Sequence, residues 1–247
     1  FTEANCQPAS NQWLRLMARN FTPHTQIVLG YSGYERGKGW LHKRISFNTL
    51  FTSLRYLGFA LAGKPYMGLG RNLAYRKELF FKQKGYSTHL NLQRGEDDLF
   101  INQIANTENT RVETNARAIM RMQPIERYKD WKEERVSYMA TARYYKGAQR
   151  YLLGFETCSR LLFYVACIAS IVFGIIHSHW LVAGIAFFIW LLRYTVQAIV
   201  INKTATDQEE NRHYYFSLLL FDLLQPLQTL QFKLYRLYRG KGDFMRR

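Results

Sequence analysis

Two uncharged apolar runs lie back to back in the C-terminal half, and they constrain the fold more than any other feature. Residues 161–176 and 180–192 carry no charge, and only His177, Ser178 and His179 separate them. A helix that crosses a membrane needs roughly 20 apolar residues, or about 17 at the short end. With residues 155–160 included, the first run reaches that length. The second, which resumes past Arg193 as far as Ile201, spans only if Arg193 lies near an interface or faces protein. A buried hairpin in a soluble protein shows the same pattern, but two adjacent runs favour a membrane hairpin over 151–205. Lys146, Arg150 and Arg160 precede the pair, and Lys203 and Arg212 follow it. The positive-inside rule then places both ends in the cytoplasm. Residues 206–247 form a third unit. Its apolar stretch, 214–235, holds Asp222, Pro226 and several Gln, and is expected as an interfacial or re-entrant helix. The tail basics Arg236, Arg239, Lys241, Arg246 and Arg247 are expected against anionic lipid.

The first 150 residues are mixed and polar. Residues 26–30 (QIVLG) read as a buried strand. Phe47, Leu50, Phe51, Leu54, Leu57 and Leu61 recur at three and four, which predicts an amphipathic helix over 45–62. Gly63, Pro65, Gly68 and Gly70 break the pattern into a loop. A strand is expected over 72–76 and a helix over 77–84 that ends at Gly85. Helix 98–106, strand 116–122 and a basic helix over 128–145 follow. Such alternation predicts an α/β domain.

Four local patterns bear on chemistry. Gly95-Glu96-Asp97-Asp98-Leu99 sets three carboxylates in a row ahead of a helical pattern. Like charges this close raise one another's pKa and can poise a base. A solvated helix N-terminus explains the same residues through the helix dipole. Glu3 and Asn5, two apart, can offer two oxygens to a hard cation; such pairs are also common in surface loops. Lys132 and Arg135 share a helical face beside Trp131 and can hold a diphosphate, or pair with Glu133 and Glu134 in solvent. Gly68 and Gly70 open a loop to close approach by a ligand.

Taken in order, these segments resemble family 2-type glycosyltransferases of the GT-A fold, of the membrane-associated bacterial kind. Thr2-Glu3-Ala4-Asn5-Cys6 stands where the family has its metal-binding T-D-A-D-C. Gly70, Asn72, Ala74, Tyr75 and Arg76 match a G-x-N-x-A-Y-R segment. Glu96-Asp97-Asp98-Leu99 matches an ED-type cluster, and residues 132–136 match a Q-x-x-R-W-like element. The resemblance covers residues 1–150. It implies a partial Rossmann-like GT-A domain, a C-terminal fragment whose nucleotide half lies upstream, followed by a transmembrane hairpin. It further implies an inverting transferase. A nucleotide-diphospho-sugar donor binds with Mg²⁺ or Mn²⁺ at Glu3 and Asn5, and the metal stabilises the leaving diphosphate. Asp97, or Asp98 if the register shifts by one, deprotonates the hydroxyl of a glycan or lipid-linked acceptor. Arg135 holds the diphosphate with Lys132, beside Trp131, while Gly70 and Asn72 line the acceptor side. The expected location is the inner (cytoplasmic) membrane with the catalytic part facing the cytoplasm. The sequence departs from the pattern at Glu3 and Asn5, at Lys132 and at Val136. The weakened metal motif supports an alternative, an inactive GT-A-like membrane subunit that acts as an interaction protein.

The chain carries 34 Lys+Arg against 18 Asp+Glu, a formal charge of +16, so an anionic partner is expected. No helix-turn-helix, RRM or KH signature accompanies that charge, and a basic surface beside the membrane accounts for it without nucleic acid. Three scattered cysteines, Cys6, Cys158 and Cys167, fit neither a disulfide framework nor a zinc site.

Overall fold

The computed structural model describes residues 1–208, 212–240 and 242–245. Lys241, Arg246 and Arg247, expected on lipid, lie outside the described residues. The class is mixed α/β and mostly helical, with two three-stranded sheets. In one, β2 (Ile27–Gly30) is the centre, parallel to β5 (Thr110–Glu113) and antiparallel to β4 (Leu73–Tyr75). In the other, β6 (Met120–Met122) lies antiparallel to β1 (Cys6–Pro8) and parallel to β3 (Ser32–Tyr34). All four residues of β2 are buried, as an unbroken apolar run in a central strand requires.

Local chemistry sets the boundaries. Helix α1 (Trp13–Ala18) packs beside the second sheet's connection. Helix α2 (Trp40–Leu61) buries Phe47, Leu50, Leu57 and Ala60, the predicted face. It starts five residues before the expected Ile45, at the positive-φ Gly39, because its basic first turn also has partners. Trp40 lies 4.8 Å from the Phe221 ring and Lys43 lies over Tyr214. Helix α3 (Lys77–Lys82) stops where Lys84 and Gly85 turn to positive φ. Helix α4 (Asp98–Ile104) buries Leu99, Phe100, Ile101 and Ile104. The strand expected over 116–122 divides. The Asn115 side chain accepts from the Arg117 N–H and bends 116–118 into a 3₁₀ turn ahead of β6. Helix α5 (Tyr128–Thr141) ends four residues short of the expected Tyr145, in a 3₁₀ turn over Ala142–Tyr144.

The C-terminal part is three long helices. Helices α6 (Gln149–Ile176) and α7 (Trp180–Asp207) form the hairpin, and both are long and apolar enough to cross a membrane. Few of their residues are buried by protein. Near the tip, a Cβ on Gly174 would fall 2.9 Å from Ala183, so the helices meet on small residues. Arg193 faces protein, 3.0 Å from Asp222. Helix α8 (Tyr215–Arg239) runs back across the molecule, one face against α5, α6 and α7. Its other face exposes Phe216, Leu219, Leu227, Leu230, Leu234 and Leu237. The tail cations Arg236 and Arg239 both have protein partners. Arg236 donates to the Met139 carbonyl at 2.8 Å, and Arg239 pairs with Glu133 and Asp243. α8 thus packs against the α/β part along most of its length.

Candidate functional site

The acidic cluster folds into a helix cap. Asp97 is the N-cap of α4, and its two carboxylate oxygens accept from the backbone N–H groups of Asp98 and Gly70, each at 2.8 Å. Burial raises the Asp97 carboxyl above the usual carboxylate range against these two donors, and Glu96 adds to the rise. Asp98 is 1% exposed. It accepts from the hydroxyls of Thr141 and, at 2.8 Å, Tyr145, which tie α4 to the end of α5. Burial, then the neighbouring charge of Asp97, pushes Asp98 up to about 7. Glu96 is exposed. The cluster is therefore divided: one acid at the solvent, one held by two N–H groups, and one locked into the core by hydroxyls.

Gly70 joins Asp97 to the next part of the site. Its neighbour Arg71 is 6% exposed and reaches Glu3 at 3.2 Å and Glu134 of α5 at 2.5 Å. Arg71 also lies over the ring of Tyr138. Three segments far apart in sequence are thus drawn together by one guanidinium. Beside them opens a cavity of about 380 Å³. Leu69 and Arg71 line it from the glycine loop, Glu134, Arg135 and Tyr138 from α5, and Thr52 and Arg55 from α2. Its far wall comes from α6 and α8. Trp131 also lines it, although its ring is largely buried between Tyr128 and Phe232. Arg135 is half-buried and makes no ion pair among the described residues. Burial lowers its pKa from the usual value, yet a guanidinium there stays charged.

Two expected site residues face elsewhere. Lys132 does not line this cavity; its ammonium sits 3.3 Å above the ring of Tyr235 on α8, where the helical turn has carried it away from Arg135. Asn72 is 1% exposed. Its Nδ2 donates to the carbonyls of Tyr31 (2.7 Å) and Ala118 (2.8 Å), and its Oδ1 accepts from the indole of Trp13 (3.0 Å). It fastens the two sheets and α1 and lines no acceptor surface.

The expected metal ligands Glu3 and Asn5 lie in the segment ahead of β1. Glu3 is neutralised by Arg71, and Asn5 lies exposed in a turn beside Cys6, ahead of β1 rather than at a strand end. No cluster of three His, Cys, Asp or Glu able to hold a metal occurs among the described residues.

Sequence reading missed Arg71, although it stands between Gly70 and Asn72. Its signal was a lone cation in a glycine loop with acids elsewhere in the chain to receive it. It also missed Arg55, Arg143, Arg150 and Arg236 as a group, because four helices or turns contribute one each.

Comparison with protein-family models, with curated proteins and with solved structures gives no match.

Proposed function

We propose that the chain is part of an inverting glycosyltransferase of GT-A type. In this reading it moves a sugar from a nucleotide-diphospho-sugar to a hydroxyl acceptor at the cytoplasmic face of the inner membrane. The observation that carries the reading is a run of contacts from Asp97 through Gly70 to Arg71, which pairs with Glu3 and Glu134 and lines one cationic cavity with Glu134 and Arg135. One wall of the cavity is α6, a helix long and apolar enough to cross a membrane. The acceptor hydroxyl attacks the anomeric carbon, and its proton passes to Asp97, whose oxygens each keep a second lone pair beyond their N–H partners. The bond from that carbon to the diphosphate breaks. Arg135, with no carboxylate of its own, and Arg71 receive the departing charge. Asp98, buried behind them, positions α4 and Asp97.

The deciding experiment is sugar transfer by the protein with Asp97→Asn and, separately, Asp98→Asn. Loss of transfer in the first with folding intact is expected. Full turnover in both would rule out the assignment of the base.

A second reading has its own observation. Arg71 occupies both Glu3 and Glu134, as it would in a domain that kept its fold without its chemistry and serves as an interaction subunit. Titrating Mn²⁺ and Mg²⁺ against a panel of nucleotide-sugar donors separates the two; no hydrolysis or transfer at any metal concentration favours the subunit.

A further inference from the structure

The cavity is not uniformly charged. Near Gly70, Arg71 has two acidic partners, and at the end walled by α6 and α8 the cations have none among the described residues. Arg143, Arg150, Lys233 and Arg236 line that end, and none of the four makes an ion pair among the described residues. Glu134 is the single carboxylate among the lining residues, and Arg71 holds it. The cations are left to satisfy one another's neighbours. Arg150 donates to the Arg143 carbonyl at 3.1 Å, and Arg236 donates to the Met139 carbonyl. The Nε of Arg143 is buried with no partner. A buried donor without an acceptor carries a desolvation cost unless a ligand supplies the acceptor. Clustered cations of like charge compound it.

We propose that this end of the cavity binds the phosphate-bearing head of a lipid, which carries the acceptor sugar. Three features favour a lipid over a free anion. The wall is built by the helices that present apolar surface outward. On α6, Arg150, Leu153, Gly154 and Thr157 face the cavity at helical spacing, while Tyr151, Leu152 and Phe155 on the adjoining face are exposed. On α8, Lys233 lies beside exposed Leu230 and Leu234. A chain leaving the cavity therefore meets apolar surface, not water. Gly154 leaves open space: a Cβ there would touch nothing within 4 Å. The head anchors and does not react. A hydroxyl of the attached sugar is the nucleophile, toward the Arg71 end where Asp97 takes its proton. The role of acceptor carrier rests on the transferase reading; the binding site does not.

The test uses the detergent-solubilised chain and three probes: a polyprenyl diphosphate, the corresponding polyprenol and inorganic diphosphate, with binding read by native mass spectrometry and no sugar donor present. The polyprenyl diphosphate is expected to bind at least roughly tenfold more tightly than either of the others, about 1.4 kcal/mol. Arg150→Gln with Lys233→Gln, both at exposed positions, should cost roughly tenfold in that affinity. Gly154→Phe should block binding by filling the open space while every cation stays in place. Equal binding of the polyprenol, equal binding of inorganic diphosphate, or undiminished lipid binding by both folded variants would each overturn the proposal. The binding assay contains no donor and bears on the site alone, whereas the Asp97→Asn transfer assay bears on the transferase reading, so failure of one is distinguished from failure of the other.

Discussion

Arg160 of α6 donates to Asp222 of α8 at 2.9 Å, and the two side chains are only 9% and 3% exposed. Asp222 also receives Arg193 of α7 at 3.0 Å and the Tyr164 hydroxyl, so one carboxylate joins all three C-terminal helices. Arg160 extends the network to Glu156, which pairs in turn with Arg55 in the cavity wall. The membrane-compatible hairpin is thereby fastened to the candidate site by charge as well as by packing.

Removing that carboxylate leaves Arg193 without an ion pair among the described residues and Arg160 with Glu156 and Gln225 alone. Asp222→Ala is expected to destabilise the protein by about 3–5 kcal/mol, the cost of leaving buried charge unpaired. Thermal unfolding in detergent checks it. Replacing Arg160, Arg193 and Asp222 together by Met, Leu and Leu should recover most of the loss, since an apolar triad needs no desolvation of ions. A triple variant as unstable as Asp222→Ala would show that shape rather than charge holds the helices.

The acid Asp98 ties stability to pH with a definite sign. Its folded pKa of about 7 lies above the ordinary value of about 3.9, so the folded state binds the proton more strongly than the unfolded chain. Its contribution is complete below about pH 4 and is lost as pH rises toward 7, a fall on the order of a few kcal/mol. The expected result is a melting temperature that declines between pH 4 and 8, with a flatter profile in Asp98→Asn. A parallel slope in the variant would place the pH dependence elsewhere.

The elements legible in the sequence were those whose pattern depends on one face alone. Phe47, Leu50 and Leu57 marked α2, the run 26–30 marked the central strand, and the uncharged runs marked the hairpin. Its start was missed because Trp40 and Lys43 are satisfied by Phe221 and Tyr214, about 170 residues onward. The structure joins Asp97 to Gly70 by a hydrogen bond, and of the site residues expected from these patterns the cavity takes Trp131 and Arg135 into its lining. The partners were not legible. Arg71 has no periodic signature, and Lys132 reads as a companion of Arg135 until Tyr235 supplies a ring for it. Asp222 read as a defect in an apolar helix. The two arginines that explain it sit in other helices, and helix pairing is not written in either one.

Arg71 is expected to tolerate no other cation. Its fork spans Glu3 and Glu134 at once, and a lysine ammonium reaches one carboxylate at a time. Both partners keep some solvent, so Arg71→Lys should cost about 1–3 kcal/mol, below the fully buried case. If the transferase reading holds, the donor KM should rise with it, because a cavity cation has moved. Unchanged stability and KM in a folded Arg71→Lys protein would reduce the bridge to a surface contact.

Asn72 separates structure from chemistry at the glycine loop. The resemblance gives it an acceptor-side role; the geometry gives it three internal hydrogen bonds. Asn72→Ala removes a donor from the Ala118 carbonyl and the acceptor of the Trp13 indole, at about 1–3 kcal/mol for each group that water does not reach, while the Tyr31 carbonyl keeps the Met120 N–H. Gly30 tests the same contact from the opposite side. A Cβ there would stand 2.4 Å from the Asn72 amide nitrogen, so Gly30→Ala must push the amide off its carbonyls. Both variants should lower the unfolding midpoint. The double variant should cost less than the two singles combined, since each breaks the same bonds. In any surviving folded fraction, acceptor KM should stay at the parent value. A raised acceptor KM with an unaltered midpoint would return Asn72 to the substrate side and contradict its placement between the sheets.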